Sequence, residues 1–439
     1  MPETSFRAAF ARANRVFPDG TTRATVERDP TPVYMSHGEG AWLYDLEGRR
    51  HLDMHGNFTV LIHGHAFPPV TEAVTRQLQQ GTCFAHPTEA ELELAERLTA
   101  RVPAVEHVRF VNTGTEAVMF AVKAARAFTG RPAIAKIEGA YHGAYDWVEV
   151  GQNGTPATWG PLDAPVSVPS YRGMPASVPE EVVVLRFNDA AGAVRRIAEN
   201  ASRLAAVIID PMPSRAGLIP AQPEFLAAVT KSARAHGVLI IADEVMNFRL
   251  GYAGASARMG LQPDLVTFGK IIGGGFPIGA IGGSAEAMAV FSRAEGAPAV
   301  AQGGTFTANP VSMAAGAVCL DHLPPAAFDR LEALGARLKG RLEAAIAATG
   351  LQMSVTGAGS LLRIHPRRAP REYRNTAFDP AQRGRLARLS KAFSDAGILA
   401  PPTGMLCLST AMGEAEIDWA AEVFDSFTVA EAARRPLTV

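Results

Sequence analysis

Short apolar runs alternate with longer helical patterns between about residues 70 and 320 of the chain. Apolar and β-branched residues predict six strands, at residues 107–112, 133–137, 182–187, 205–210, 238–242 and 265–268. Helical patterns separate several of these strands, at residues 116–128, 191–200 and 223–236. This alternation predicts an α/β fold with a mostly parallel, twisted sheet. The continuously apolar strands indicate that both faces of the sheet are covered.

The two ends of the chain have a different pattern. Residues 40–53 predict a small hairpin, residues 326–350 predict a helix, and short strands and another helix follow. The length of 439 residues favours two or three domains. We therefore expect a large domain at residues 66–320 and a smaller α+β domain built from residues 1–65 and 321–439. Five prolines at positions 161–179 predict a long irregular loop.

Composition excludes several classes of protein. A formal net charge of −1 provides no general basic field for nucleic acid or an acidic membrane, and 47% hydrophobic residues are typical of a folded protein. The three cysteines are far apart, so we expect free, buried thiols in a reducing cytosol and neither a disulfide framework nor a thiolate metal site. No secretory or bilayer-spanning apolar segment is visible, so we expect a soluble cytoplasmic protein with small-molecule partners.

One candidate anion site begins at Asn112-Thr113-Gly114-Thr115-Glu116, after a predicted strand. Thr113 and Glu116 have the spacing of a capping box, which predicts the start of a helix. Free amides at a helix start bind phosphate, Gly114 allows a ligand to approach the backbone, and Thr115 adds a hydroxyl. On its own, the motif is more typical of an ordinary capped helix.

Two charged residues follow apolar strands. Asp243 comes after Ile240-Ile241-Ala242, at the carboxyl end where parallel sheets place ligands, and it could pair with a cationic ring nitrogen. Lys270 follows the strand at 265–268 in a glycine-rich, apolar setting. Desolvation there would lower its pKa and free the amine as a nucleophile. The alternatives are a helix cap or structural ion pair for Asp243 and a surface lysine for Lys270, but the apolar flanks favour the nucleophile.

The other motifs complete a set of requirements for one ligand. The glycines after Lys270 do not match the dinucleotide fingerprint, because Pro277 intervenes. Tyr141-His142-Gly143 could offer an aromatic face to a flat ring, or be core, and the hydroxyls of residues 303–310 could reach a phosphate, or form a simple loop. His63 and His65 lack an accompanying ligand cluster, so we expect no metal. A phosphate seat, an aromatic surface, a carboxylate and a nucleophilic lysine together indicate pyridoxal 5'-phosphate.

On these motifs the sequence resembles class III aminotransferases of the type I pyridoxal-phosphate fold, over about residues 10–427. Within them it is most similar to the glutamate-1-semialdehyde aminomutase branch, which also contains aminotransferases of β-amino acids and of D-phenylglycine. The resemblance rests on the order and spacing of residues 112–117, 138–143, 243–246, 269–275 and 304–310. It implies a seven-stranded, mostly parallel sheet flanked by helices, with a small α+β domain from both termini.

The resemblance also implies roles in cofactor binding. Lys270 matches the catalytic lysine that holds the cofactor as a Schiff base, and Asp243 matches the partner of the ring nitrogen. The other implied residues contact the ring or its phosphate: Tyr141, His142 and Val245, then Gly114, Thr115 and, from the neighbouring subunit, Thr305. The role of Thr305 implies a homodimer with shared active sites.

The expected substrate residues distinguish this chain from the aminomutase. Arg23 resembles an arginine that binds the substrate carboxylate in the β-amino-acid enzymes, whereas Phe58 stands where the aminomutase has a tryptophan. Residues 401–405 lack the aminomutase's glutamate, and Thr403 replaces an arginine of the β-amino-acid enzymes. Asp210-Pro211 replaces a Glu-Pro, residues 212–215 also depart from the family pattern, and the loop at 161–179 takes the place of a gating loop.

The sequence therefore predicts an aminotransferase that moves an amino group from an amino acid, such as a β- or D-amino acid, to a keto acid. Two alternatives stay open. An aminomutase or racemase on the same scaffold would need no external acceptor. A binding protein without catalysis would not need a nucleophilic lysine.

Overall fold

A computed structural model describes residues 5–26, 31–294 and 296–434. Its central sheet has seven strands, which lie in the order β4 (His107–Val111), β10 (Gly279–Gly283), β9 (Leu265–Gly269), β8 (Leu239–Asp243), β7 (Leu204–Ile209), β5 (Ala133–Ile137) and β6 (Val182–Leu185). β10 is antiparallel to both of its neighbours, whereas the pairs from β9 to β6 are parallel. The carboxyl ends of β9, β8, β7 and β5 therefore meet at one edge of the sheet.

The six predicted strands are confirmed, with ends that shift by one or two residues. β10 was not predicted, because glycine has a low strand propensity and β10 is the run Gly279-Ala280-Ile281-Gly282-Gly283. Glycine is nevertheless required there, since a Cβ on Gly279 would collide with the carbonyl of Thr113. The strand that was not predicted thus packs directly against Thr113, the residue before α5.

Helices flank the sheet, as expected. The longer ones are α1 (Ser5–Ala13), α3 (Pro68–Gln80), α4 (Glu89–Arg101), α5 (Gly114–Thr129), α8 (Ala190–Asn200), α9 (Pro223–Ala235), α12 (Pro310–Asp321), α13 (Pro325–Thr349), α14 (Pro380–Asp395) and α15 (Glu414–Ala433). The short ones are α2 (Gly56–Thr59), α6 (Asp146–Glu149), α7 (Ser177–Glu180), α10 (Gly254–Met259) and α11 (Ala285–Met288). Five single 3₁₀ turns in the described residues span Pro18–Gly20, Asn247–Leu250, Lys270–Gly273, Ala289–Phe291 and Tyr373–Thr376.

Apolar residues lie on both faces of the sheet. Residues 206–209 of β7 alternate between two core clusters: Val207 and Ile209 belong to one, and Ala206 and Ile208 belong to the other. β8 does the same with Ile240 and Ile241. This division explains why these strands are apolar throughout, because each face needs its own buried side chains.

Both ends of the chain contribute to smaller sheets. β1 (Met35–Glu39), β2 (Trp42–Asp45) and β3 (Arg50–Asp53) form an antiparallel meander, which replaces the predicted simple hairpin. β13 (Ile398–Leu399) adds to β3 in parallel, so the two chain ends share one sheet. A third sheet has the order β11 (Ser354–Ala358), β12 (Leu361–His365) and β14 (Met405–Cys407).

Two local expectations need correction. The irregular loop ends in one helical turn, α7, so it is shorter than residues 161–179. The cysteines are free, but only Cys319 and Cys407 are buried, whereas Cys83 is exposed. Cys83 lies in the exposed segment between α3 and α4, where its thiol contacts the carbonyl of Thr305. In the described part of the chain, we find no helix that is long and apolar enough to cross a membrane.

Candidate active site

Asp243 and Lys270 lie at the ends of neighbouring strands. Asp243 is the last residue of β8 and pairs in register with Thr267 of β9, and Lys270 directly follows β9. The Thr267 hydroxyl donates to Asp243 Oδ1 at 3.1 Å. Lys270 has a φ of 52°, in the left-handed region that non-glycine residues rarely adopt. Such strain is common at functional sites, where the surrounding structure holds a side chain in place.

The carboxylate of Asp243 is buried and strongly hydrogen-bonded. Nδ1 of His142 lies 2.6 Å from Oδ2, and the Val245 amide donates to Oδ1 at 3.0 Å. Burial alone would raise the pKa of Asp243, but the contacts with His142, the Val245 amide and the positive charge of Lys270 together hold it below its ordinary value. Asp243 is therefore ionised at neutral pH and can hold a proton on a ring nitrogen.

Burial lowers the pKa values of two basic side chains near Asp243. It lowers the pKa of Lys270, and the opposing charges of Asp243 and Asp210 only partly offset it. It also lowers the pKa of His142, although Asp243 acts in the opposite direction. A neutral lysine amine is a nucleophile and a proton acceptor. The Nε2 atom of His142 is buried and has no hydrogen-bond partner among the described residues.

The predicted phosphate seat lies at the start of α5. The Thr113 side chain accepts a hydrogen bond from the Glu116 amide at 3.1 Å, as expected for its capping role. The reciprocal bond differs from the expected capping box, because the Glu116 carboxylate accepts from the Asn112 amide at 2.8 Å. The first amides of α5 have no acceptor within the helix and face the same sheet edge as Asp243 and Lys270.

Val245 packs between the phosphate seat and the lysine strand. A Cβ on Gly114 would lie 2.7 Å from Cγ1 of Val245, and one on Gly269 would lie 3.2 Å from the same atom. Glycine at both positions therefore leaves room for Val245 beside the start of α5 and the end of β9. The predicted cofactor residues Gly114, Val245 and Lys270 are thus close together.

The turn after β5 approaches the same place. A Cβ on Gly143 would lie 2.6 Å from Oγ1 of Thr115, and the Ala144 amide donates to that oxygen at 3.3 Å. The ring of Tyr141 is 47% exposed, so one aromatic face is available to a ligand. The turn after β5 thus brings Tyr141 and His142 beside the phosphate seat.

Lys136, which supports this turn, was not identified from the sequence. Lys136 is fully buried in β5, and its Nζ donates to the carbonyls of Ala140 at 3.0 Å and Val150 at 2.9 Å. Burial, assisted by the charge of Arg215, lowers its pKa to about 7. In sequence it is an ordinary lysine within a strand.

A second buried carboxyl group, Asp210, directly follows β7, the strand next to the one that ends in Asp243. It accepts hydrogen bonds from the Met212 amide at 2.8 Å and from the Asn247 side chain. Burial and the negative charge of Asp243 raise its pKa well above the ordinary value. Burial therefore favours the uncharged form of Asp210, next to the more acidic carboxyl group of Asp243.

Arg23 and Phe58, the two predicted substrate residues, lie together. The Arg23 guanidinium donates to Oδ1 of Asn57 at 2.9 Å and lies 6.0 Å from the centre of the Phe58 ring. Asn57, Phe58 and Thr59 all have left-handed backbone conformations, with φ of 47°, 57° and 73°. This strained turn presents the exposed Phe58 ring next to a guanidinium.

Thr305 is placed apart from the other predicted residues. It lies in an exposed stretch before α12, next to Phe306, which is 62% exposed. Within the described residues, no hydrogen bond joins Thr305 to Lys270, Asp243 or the start of α5. A role for Thr305 in the site of the same chain is therefore not visible.

The residues fit pyridoxal phosphate. Glycine at positions 114 and 143 allows Val245 and Thr115 to pack closely at the start of α5, a buried carboxylate with a lowered pKa ends β8, and a lysine with a pKa lowered by burial follows β9. The half-exposed Tyr141 and the partly buried Val245 are available for the two ring faces. These groups come from four different elements but converge on one edge of the sheet.

Comparisons with known proteins agree with this chemistry. A family model described as aminotransferase class-III matches residues 24–426. A glutamate-1-semialdehyde 2,1-aminomutase of Rhodopirellula baltica is 39% identical over 364 residues, covering 81% of this chain and 80% of that protein. An omega-transaminase from Sphaerobacter thermophilus is 46% identical, with a TM-score of 0.94 and 98% of each chain covered. A beta-phenylalanine aminotransferase from Variovorax paradoxus is 34% identical, with a TM-score of 0.88, covering 98% of this chain and 95% of its own.

The matched range includes Lys270, Asp243 and the start of α5, and the match to the omega-transaminase spans almost the whole chain. The expected fold class and cofactor are thereby confirmed. The chain belongs to the class-III aminotransferase family, whose cofactor is pyridoxal phosphate.

Proposed function

We propose that the protein is an aminotransferase that moves an amino group from an amino acid to a keto acid, with Lys270 as its catalytic residue. The observation that carries this proposal is the placement of Lys270 and Asp243 at the ends of two neighbouring strands. When bound, pyridoxal phosphate withdraws electrons from the carbon that bears the substrate's amino group. The residues of the chain then have to hold the cofactor, orient the substrate and move one proton.

Lys270 performs two of these tasks. Its amine would hold the cofactor covalently in the resting enzyme. Once free, the same amine would accept a proton from the substrate carbon and give it back, as general base and then general acid. Its lowered pKa supports this role, because a permanently protonated lysine could not accept the proton.

The other residues hold the cofactor in place. Asp243 keeps the proton on the ring nitrogen, and His142 fixes the orientation of that carboxylate through the 2.6 Å contact. The first amides of α5 and the Thr115 hydroxyl bind the phosphate. Tyr141 and Val245 contact the two ring faces.

Several observations favour an aminotransferase over an aminomutase. The chain is more similar to the omega-transaminase, at 46% identity, than to the curated aminomutase relative, at 39%. Phe58 and Thr403 also stand where the sequence departs from the aminomutase branch. The aminomutase remains the second candidate, because the curated relatives carry that name.

For the amino donor, we propose an amino acid whose carboxylate binds Arg23, and in particular a β- or D-amino acid. Arg23 lies beside the exposed Phe58 ring, so a carboxylate and an apolar side chain could be bound next to each other. The similarity to a beta-phenylalanine aminotransferase supports a β-amino acid that carries an aromatic group. Simple amines without a carboxylate should be poor donors.

The test is a panel of single amino compounds with and without a keto acid. The panel includes α-, β- and D-amino acids and simple amines, and products are identified by chromatography. We expect a keto product only when a keto acid is present, in equal amount to the new amino acid. An isomer formed from one compound without any keto acid would instead identify an aminomutase or racemase.

Two lysine variants provide the control. Lys270→Ala should abolish both turnover and the visible absorbance of the lysine-bound cofactor. Lys231→Ala, an exposed lysine on α9, should retain both. Full turnover by Lys270→Ala would refute the catalytic assignment.

We further propose a homodimer in which Thr305 reaches the phosphate of the neighbouring subunit. The exposure of the stretch around Thr305 and the lack of contacts with its own site support this reading. Mixed dimers of Lys270→Ala and Thr305→Ala subunits should recover activity, since one of their two sites contains both residues. If mixing recovers nothing although hybrid dimers form, sites are not shared in this way.

A further inference from the structure

Arg215 lies at the edge of the sheet where the candidate active site is built. It follows β7, which is placed between β8 and β5 in the sheet. The carboxyl ends of these three strands therefore lie side by side. Asp243 is the last residue of β8, and the segments after β7 and β5 carry Arg215 and Tyr141. Arg215 belongs to the stretch of residues 212–215 in which the sequence departs from the family pattern.

The guanidinium of Arg215 is exposed and only partly satisfied. It donates one hydrogen bond, to Oδ1 of Asn153 at 2.9 Å, and lies 5.8 Å from the centre of the Tyr141 ring. Among the described residues, none of the carboxylates lies within ion-pair distance of it. A guanidinium has five N–H donors in a planar fork, so most of its donors are left for a ligand.

The charge of Arg215 also acts on its surroundings. It lowers the pKa of buried Lys136 further, and it opposes the burial that raises the pKa values of Tyr141 and Tyr373. The charge of Arg215 thus reaches the half-exposed Tyr141 ring, where the negative charges of Glu149 and Asp243 act on the Tyr141 pKa in the opposite direction. An anion that binds Arg215 would pair with a guanidinium that has no ion pair among the described residues.

A buried arginine braces the loop that carries Arg215. Nη1 of Arg363 donates to the carbonyl of Ser214 at 2.6 Å, and its Nε donates to the carbonyl of Thr403 at 3.2 Å. The Arg215 loop is thus tied to residues 400–405, which contain no cation of their own. The Thr356 hydroxyl also holds this loop, by donating to the carbonyl of Gly217 at 2.7 Å. A guanidinium on such a supported loop is preorganised for binding.

We propose that Arg215 binds the second carboxylate of a dicarboxylic keto acid, the amino acceptor, in a bidentate pair. The inference rests on the aminotransferase function proposed above. Arg23 and Arg215 are held by different elements, Arg23 by Asn57 beside Phe58 and Arg215 by Asn153 beside Tyr141. Each guanidinium can pair with one carboxylate, so a substrate that binds both arginines must have two carboxylates. A monocarboxylic keto acid uses Arg23 alone.

The test compares two acceptors with one amino donor that the wild type accepts. We measure kcat and KM of the cofactor-loaded enzyme for 2-oxoglutarate, which has two carboxylates, and for pyruvate, which has one. The variants are Arg215→Gln and Arg215→Lys, and Arg234→Gln, an exposed arginine on α9, is the matched control. Retained cofactor absorbance and circular dichroism confirm that each variant is folded.

The expected result is a change in acceptor preference. Arg215→Gln should lower kcat/KM for 2-oxoglutarate relative to pyruvate by about tenfold or more, mainly through KM, because a charge-assisted bidentate pair is lost. Arg215→Lys should lose less, since it keeps the charge without the fork, and Arg234→Gln should keep the wild-type ratio.

Three other outcomes overturn the inference. One is an Arg215→Gln variant in which the ratio of kcat/KM for 2-oxoglutarate to kcat/KM for pyruvate is unchanged. This includes a variant in which kcat/KM falls equally with both acceptors. A wild type that uses pyruvate but not 2-oxoglutarate would refute only the role of Arg215. A wild type that transfers its amino group to neither keto acid would refute the aminotransferase proposal itself.

Discussion

Replacement of Lys136 by methionine should remove a specific pH dependence of stability. Lys136 is fully buried, and its pKa falls from 10.5 to about 7. The unfolded chain therefore binds more protons than the folded chain between these two values. Stability consequently rises with pH across this window, and the cost of burying the lysine is largest below about pH 7 and absent above about pH 10.5. Methionine has a side chain of similar length that does not titrate.

The magnitude follows from the size of the pKa shift. One pKa unit corresponds to about 1.4 kcal/mol, so the full shift amounts to about 5 kcal/mol. Between about pH 7.5 and about pH 9.5, the wild type should gain about 2.5 kcal/mol relative to Lys136→Met. A second effect does not depend on pH. The carbonyls of Ala140 and Val150 lose their donor, which destabilises the variant by about 1–3 kcal/mol for each carbonyl.

The assay is urea denaturation of both proteins at the two pH values, followed by circular dichroism with saturating cofactor. The difference in unfolding free energy between the two proteins cancels other groups that titrate equally in both. Lys231→Met, an exposed lysine on α9, serves as control and should show no pH-dependent difference. A difference between wild type and Lys136→Met that stays constant from about pH 7.5 to about pH 9.5 would refute the claim that burial excludes the charge.

Three further predictions concern the site and its support. Asp243→Asn should lower turnover by about a hundredfold or more, because the preorganised charge opposite the ring nitrogen is lost; a kcat within about twofold of wild type would contradict this. Gly114→Ala should weaken cofactor binding, measured by fluorescence titration, since its Cβ would meet Cγ1 of Val245 at 2.7 Å. The double variant with Val245→Ala should recover part of the affinity, and an unchanged affinity in Gly114→Ala would exclude the clash. Arg374→Met should cost about 3–5 kcal/mol of unfolding free energy, because buried Glu138 loses its ion pair at 2.9 Å, whereas exposed Arg371→Met should cost little. Equal urea midpoints for Arg374→Met and Arg371→Met would contradict a stabilising role for the Arg374–Glu138 ion pair.

Much of the central sheet could be predicted from local pattern. The strands that are buried on both faces are apolar throughout, so their runs stand out in the sequence, and β5 was predicted to the residue. β10 could not be predicted in this way. Its glycine at position 279 is required by the nearby carbonyl of Thr113, and glycine has a low strand propensity. The pairing of β13 with β3 was also not detectable, since it joins residues from opposite ends of the chain.

The candidate site divides in a similar way. Lys270 and Asp243 could be identified because each follows an apolar strand, and the carboxyl ends of parallel strands are where ligands bind. The contact of His142 with Asp243, the bonds of Lys136 and the raised pKa of Asp210 could not be predicted, because they depend on how the loops after the strands fold against each other. Arg215 was visible only as a departure from the family pattern, without a role.

The sequence alone therefore determined the order of most strands and helices, the kind of cofactor and the two residues, Lys270 and Asp243, that we propose contact it. These features depend on local periodicity and on short motifs, which each segment carries by itself. Only the tertiary structure decided which side chains surround Asp243, in which direction burial shifts the pKa values of Asp210 and Lys270, and that Arg215 pairs with an amide oxygen and not with a carboxylate of the described chain. Burial and charge pairing depend on distances between segments that are far apart in sequence, and those distances exist only once the sheet has formed.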